Sequence, residues 1–220
     1  MIKFKQLLWF GTEIFWTFVF MDNGLSKAER TRQFIIETTA GIFNTKGYAG
    51  TSLSDLTDAT HLTKGSIYGN FENKEDVALA AFDYNLSKIK QAIAQRVQKA
   101  VTYHDKLMVY AQVYHSFSGA PFPTGGCPIL NTAIEADDTN TLLKAKVAKA
   151  VTDWKKDIST MILSGIETGE FKADTDTDRI AYSIIALIEG GIMIAKITGV
   201  AANLDRILIT VEELILGLKA

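Results

Sequence analysis

The chain has 220 residues, 47% of them hydrophobic and 22% charged, with three prolines and a net charge of −2. That balance excludes a disordered chain, and the length suits one large domain or two small ones. A single cysteine, Cys127, excludes an intramolecular disulfide framework and fits a reducing compartment. The near-zero charge excludes a globally basic nucleic-acid binder, though not a small binding face.

Met1–Phe20 stands apart. Lys3 and Lys5 precede an apolar run from Leu7 to Phe20, the outline of a secretory signal. Glu13 interrupts the run, no small-residue cleavage pattern follows, and the segment is shorter than the roughly 20 apolar residues that cross a bilayer. Residues 1–21 therefore read as an apolar extension, arising from an early start codon or packed on a partner, and no membrane is expected.

After Met21 the apolar residues repeat at helical spacing and strand-like alternation is nearly absent, so the predicted fold class is all-α. In the first helix Ile36, Ala40 and Phe43 form a stripe flanked by Ile35, Thr39 and Ile42, with Gly47 as its stop. Thr51 or Ser52 opens a second helix reaching about Ala59, and Asp55 in its first turn suits a capping box. After a tight break at Thr60-His61-Leu62, Thr63 caps a short third helix running through Asn70. A long helix from Asn73-Lys74 to beyond Ala94 keeps Val77, Ala81, Tyr84 and Ile89 on one side. His104–Phe117 reads as the next helix, and residues 119–126 as the clearest loop. Pro128 then starts a helix whose apolar set is Leu130, Ala133 and Ile134. Leu142–Ile166 is long and amphipathic, while Asp178–Thr198 and Asn203–Leu218 are apolar over more than one face.

The sharpest signal lies between Thr51 and Lys74. Leu53, Leu56, Leu62, Ile67 and Phe71 close a small core between two short helices and the helix before them, which is the layout of a helix-turn-helix. The outward residues of its second helix, Thr63, Lys64, Ser66, Tyr68 and Asn70, are hydrogen-bonding, as contact with bases or phosphates requires. Gly65 and Gly69 let backbone approach closely.

Gly47-Tyr48, Thr51-Ser52-Leu53 and the run from Thr63 to Lys74 (TKGSIYGNFENK) together resemble the tetracycline-repressor (TetR) family of bacterial regulators, closely from Ala28 to Phe82. The resemblance implies a three-helix DNA-binding head over 22–73, joined by a long helix to a helical ligand-binding and dimerisation domain over 74–220. It also implies that Thr51 and Ser52 touch phosphate and that Ser54 approaches the groove. Thr63, Lys64, Gly65 and Ser66 would face bases or nearby backbone, Tyr68 and Lys74 would hold phosphates, and Asn70 would lie at the groove edge. His61 stands where the family usually has glycine, so the turn is expected to carry slight strain.

One short reading helix recognises few base pairs, so a homodimer on a palindromic operator is expected, its half-sites about 34 Å apart or a multiple of that. The last two helices would form the intersubunit bundle through Ile184, Ile188, Ile192, Ile207, Val211 and Leu214. Between head and dimer surface lies the expected sensor for a small apolar or amphipathic effector. Its walls would be Tyr110, Tyr114, Phe117, Phe122, Trp154, Ile158 and Met161, and its polar groups Cys127, Asn131 and Glu135. Cys127, at a helix N-terminus, would have its thiolate favoured by the helix dipole.

Catalysis finds little support. His61, His104 and His115 lack metal-ligand spacing, no Walker, GxSxG, HExxH or dinucleotide motif occurs, and neither metal nor cofactor is implied. A Cys127–His115 dyad is the one enzymatic arrangement left open. The reading is a cytoplasmic, homodimeric transcriptional regulator and not an enzyme, a repressor released by its effector. The alternative is a helical ligand-binding or signalling module without DNA affinity. It is motivated by a head in which Lys27, Arg30, Arg32, Lys46, Lys64 and Lys74 are balanced by Asp22, Glu29, Glu37, Asp55, Asp58 and Glu72.

Overall fold

Side-chain caps set most of the helix boundaries. The computed structural model describes residues 24–115 and 122–220, and their helices are α1 (Lys27–Gly50), α2 (Leu53–Thr60), α3 (Lys64–Tyr68), α4 (Lys74–Val97), α5 (Tyr103–Tyr114), α6 (Pro128–Ala136), α7 (Thr141–Glu167), α8 (Thr177–Thr198) and α9 (Ala202–Leu216). Ser26, Ser52, Thr63, Asn73, Thr102, Asn140 and Asp176 each accept the backbone N–H three residues on, fixing seven of the starts. Pro128 opens α6 without a side-chain cap. The 1–21 extension and Phe117 lie outside the described residues.

Two cores share one rod. Ile35, Ala40, Phe43, Leu56, Ile67 and Phe71 pack with Val77, Ala78 and Ala81 of α4 in the head. From Phe82 onward, α4 instead joins the larger core built from α5 to α9. The 24 residues of α4 form a rod about 36 Å long at 1.5 Å per residue, and it belongs to both cores.

The buried faces differ from the expected ones in three places. On α1, Ile35 and Thr39 are fully buried whereas Ile36 is only half-buried, because α4 and α2 meet the flank of the predicted stripe. On α6, Pro128, Ile129 and Ala136 are buried, while Leu130 and Ala133 are half-buried and Ile134 is 67% exposed. On α8 and α9, Ile184, Ile188, Ile192 and Val211 are sealed inside one protomer and present no surface to a partner; Ile207 and Leu214 are half-buried. The outward faces instead carry Tyr182, Met193, Ile194 and Ile197 on α8, and Ile209 and Leu216 on α9.

Length and composition alone would let α8 cross a membrane. Ile180, Ile184, Ile185, Ile188 and Ile192 are nonetheless buried, with α7 and α9 packed against the helix, as in a core helix. Gly191 permits the close approach of α9, since a Cβ there would meet Leu204 Cδ1 at 2.8 Å.

Candidate nucleic-acid interface and effector cavity

The head presents α3 outward. Leu56 and Ile67, both with no exposure, and Phe71 anchor the two short helices, leaving Thr63, Lys64 and Gly65 exposed and Ser66 half-buried. Thr63 Oγ1 accepts the Ser66 N–H at 3.1 Å, which opens α3 and fixes its direction. Ser52 and Ser54 are exposed at the start of α2. Ser52 shares a capping box with Asp55, whose carboxyl is lowered to about 2, first by Lys46 and then by Ser52. His61 occupies the left-handed region, with φ 55° and ψ 24°, between α2 and α3.

Three of the expected DNA contacts are committed within the protein. Thr51 is fully buried and its hydroxyl donates to Gly47 O at 2.6 Å, so it offers no hydroxyl to a phosphate. The Lys74 ammonium donates to the carbonyls of Tyr48 (2.8 Å) and Thr51 (2.9 Å) and lies 4.3 Å from the Tyr48 ring centroid, tying α4 to the end of α1. Asn70 donates to Ser66 O at 2.9 Å, and its carbonyl accepts from Arg32, so it closes α3 instead of reading a groove. Tyr68 is half-buried against the head core, with Lys64 Nζ 5.9 Å from its ring centroid.

A polar joint connects the head to α6. Gly47, with φ 75° and ψ 175°, kinks α1 and turns the next N–H groups toward Glu135. Glu135 accepts from Tyr48 N at 2.7 Å and Ala49 N at 2.6 Å. Nearby, Asn44 donates to the carbonyls of Thr124 and Gly126, and Asn131 donates to those of Asn44 and Gly125. Lys196 adds bonds to Gly125 O and Asn131 Oδ1. Asn131 and Glu135, expected as ligand-binding groups, thus line a cleft between head and body.

The expected sensor walls enclose a separate cavity of about 420 Å³ between α4, α5, α6 and α7. Tyr110, Tyr114, Cys127, Trp154 and Met161 line it as expected. Ile158 does not, being fully buried in the core behind it. Leu86, Ile89, Ile93 and Val97 of α4 supply the wall that sequence reading missed, although the second apolar face of α4 was a visible signal. Trp154 is near-parallel to Tyr110 (6.4 Å between centroids) and Tyr114 (6.0 Å), and its Nε1 is buried without a partner.

Cys127 departs most from expectation. Its thiol is buried and donates to Glu189 Oε1 at 2.9 Å. Burial, with the Glu189 charge second, pushes the thiol well above its ordinary value, outweighing the N–H groups of Leu130 and Ile129 at the helix start. The helix dipole therefore does not produce a thiolate. Glu189 itself is pushed up to about 7 by burial, and its Oε2 is enclosed without a hydrogen-bond partner. His115 is held by Asp205 at 2.9 Å and Glu212 at 3.4 Å, so no Cys127–His115 dyad forms.

An exposed helix α3 on a small anchored head, joined by one long helix to a body that holds a cavity, defines the architecture of a helix-turn-helix regulator. The family model for bacterial regulatory proteins of the tetR family matches residues 35–81, and that for the tetracyclin repressor-like C-terminal domain matches residues 104–211. A TetR-family transcriptional regulator from Cytophaga hutchinsonii is 54% identical, with a TM-score of 0.86 over 89% of this chain and 98% of that one. Another from Chloroflexus aurantiacus is 39% identical, with a TM-score of 0.84 over the same shares. The HTH-type transcriptional repressor DhaR of Mycobacterium sp. (strain GP1) is 28% identical over 187 residues, 84% of this chain and 92% of that protein. The chain belongs to the TetR family of DNA-binding transcriptional regulators, which are not enzymes.

Proposed function

We propose that this protein is a cytoplasmic, homodimeric repressor that leaves a palindromic operator when a small apolar or amphipathic molecule fills the 420 Å³ cavity. The observation that carries the reading is the sharing of elements. Leu86 to Val97 of α4 wall the cavity, while Val77 to Ala81 of the same helix belong to the head core. Likewise, Cys127 and Ile129 at the start of α6 line the cavity, and Glu135 near its end grips the head. A molecule that displaces either helix re-aims α3 relative to its twin. By linkage, the effector favours the DNA-incompetent arrangement, and DNA weakens effector binding by the same factor.

Ser52, Ser54, Thr63, Lys64, Gly65, Ser66 and Tyr68 form the DNA-contacting set, and the outward apolar residues of α8 and α9 form the dimer surface. The test selects genomic fragments with the purified protein and then measures affinity for a selected fragment against salt. A steep negative slope on log[salt] is expected, shallower by about two in Lys64→Ala, one phosphate contact per protomer. A flat slope in the wild type, or affinity indifferent to fragment sequence, overturns the reading.

A further inference from the structure

The 420 Å³ cavity reaches solvent on one side only among the described residues. The exposed members of its lining are Lys90 and Ala94 of α4 and Asp157 and Thr160 of α7. Those from α5 and the start of α6, Tyr110, Tyr114, Cys127 and Ile129, are all buried. The rim therefore lies between the last turns of α4 and the C-terminal half of α7, and the opposite floor is closed, with Cys127 1% exposed.

Polar bridges hold this seam more than close packing does. α4 packs chiefly on α1 and α5, and α7 on α6 and α8. Across the seam, Asn140 donates to Glu75 Oε1 at 2.8 Å, Lys146 pairs with Asp83, and Lys90 lies 3.6 Å from Asp153. The positions 75, 83 and 90 on α4, and 140, 146 and 153 facing them, recur about every two helical turns, so the bridges form a ladder along one stripe of each helix. One further step reaches Val97 and Thr160, which carry no charges to pair and line the cavity. The ladder ends where the rim begins.

We infer that guests enter the cavity between α4 and α7 and that this ladder controls their passage. Its rungs hold the two helices together beside the rim, and the helices separate to let a molecule reach Cys127. The helix that yields is the one that also carries Val77, Ala78 and Ala81 of the head core. Exposed ion pairs are individually weak, so the ladder restrains the seam without sealing it, and salt relaxes the restraint. The route is the same whether or not a guest alters DNA affinity.

The single cysteine makes the route measurable without an identified guest. The full chain is treated with excess methyl methanethiosulfonate, a small uncharged reagent. The Cys127 sulfur takes its methylthio group, methanesulfinate leaves, and the rate is followed by intact mass. Asp83→Asn combined with Lys146→Gln removes a rung whose residues lie outside the cavity lining. It should accelerate labelling about two- to fivefold at about 50 mM salt, and the gap should narrow at about 500 mM, where the wild type itself speeds up. Thr160→Trp, or Ala94→Trp on the facing helix, crowds the rim; either should slow labelling of the wild type and cancel the acceleration in the rung variant. Equal rates in the wild type and the rung variant, or no labelling of either, overturn the inference. So does an acceleration that survives both tryptophans, since the reagent then arrives by another route or through unfolding.

Discussion

Truncating Glu135 tests whether α6 holds the head. The carboxylate accepts two backbone N–H groups, from Tyr48 at 2.7 Å and Ala49 at 2.6 Å, just past the kink at Gly47. Hydrogen bonds to charged groups contribute about 1.5–3 kcal/mol each when shielded from water. Tyr48 is half-buried, so its bond sits near the low end, about 1.5 kcal/mol; Ala49 is exposed and water can replace its acceptor, leaving about 0.5 kcal/mol. Glu135→Ala should therefore loosen the joint by about 2 kcal/mol, equivalent to roughly 30-fold in a local opening equilibrium. Amide hydrogen exchange followed by NMR reads this directly. Exchange at Tyr48 and Ala49 should accelerate by that factor, Glu135→Gln should fall between, and the amide of Ile184 in the body core should be unaffected. Unchanged exchange at Tyr48 and Ala49 in the alanine variant would refute the claim that this carboxylate secures the head.

The remaining predictions concern local strain and pH. His61→Gly should stabilise the protein by about 0.5–1 kcal/mol in urea unfolding at fixed protomer concentration, because a left-handed conformation costs a non-glycine residue about 1–2 kcal/mol, partly offset by the freer unfolded chain. A destabilised glycine variant would show that the histidine ring contributes more than the strain removes. Glu189 is held at about 7 when folded against 4.5 ordinarily, so its contribution to stability is full below pH 4.5 and is lost as pH rises through 7. That loss corresponds to about 3 kcal/mol, and the wild type should surrender it between pH 4.5 and 8 whereas Glu189→Gln should not. Parallel pH profiles of unfolding free energy in the two proteins would contradict the burial of this carboxyl.

Much of the head was legible because its signals are local. The Ser52–Asp55 pair and the Thr63 cap, like Pro128 at the start of α6 in the body, each act within one turn of helix, so spacing along the chain fixes them. His61 in the left-handed region was readable for the same reason. The cavity walls were legible in part: Tyr110, Tyr114, Trp154 and Met161 stood out as aromatic or flexible residues on helices between the head and the last two helices. Glu189 was not, because nothing near it in the sequence indicates that α8 turns it toward Cys127, 62 residues away.

Local chemistry along the chain determined where helices begin and stop and which segment forms the helix-turn-helix, since caps, breaks and helical periodicity involve neighbours within four residues. Tertiary structure decided the rest. It placed Ile184, Ile188, Ile192 and Val211 inside the protomer and left Tyr182, Ile197 and Ile209 outside. A helix that is apolar on several faces does not state which face its neighbours cover. Tertiary structure also gave Lys74 and Glu135 their work, because each is satisfied by backbone groups of α1, and it set the Arg32 guanidinium of α1 on the Asn70 backbone carbonyl. Such pairings depend on how α1, α3, α4 and α6 cross, and the crossing is set by the packing of whole cores, which no short stretch of sequence records.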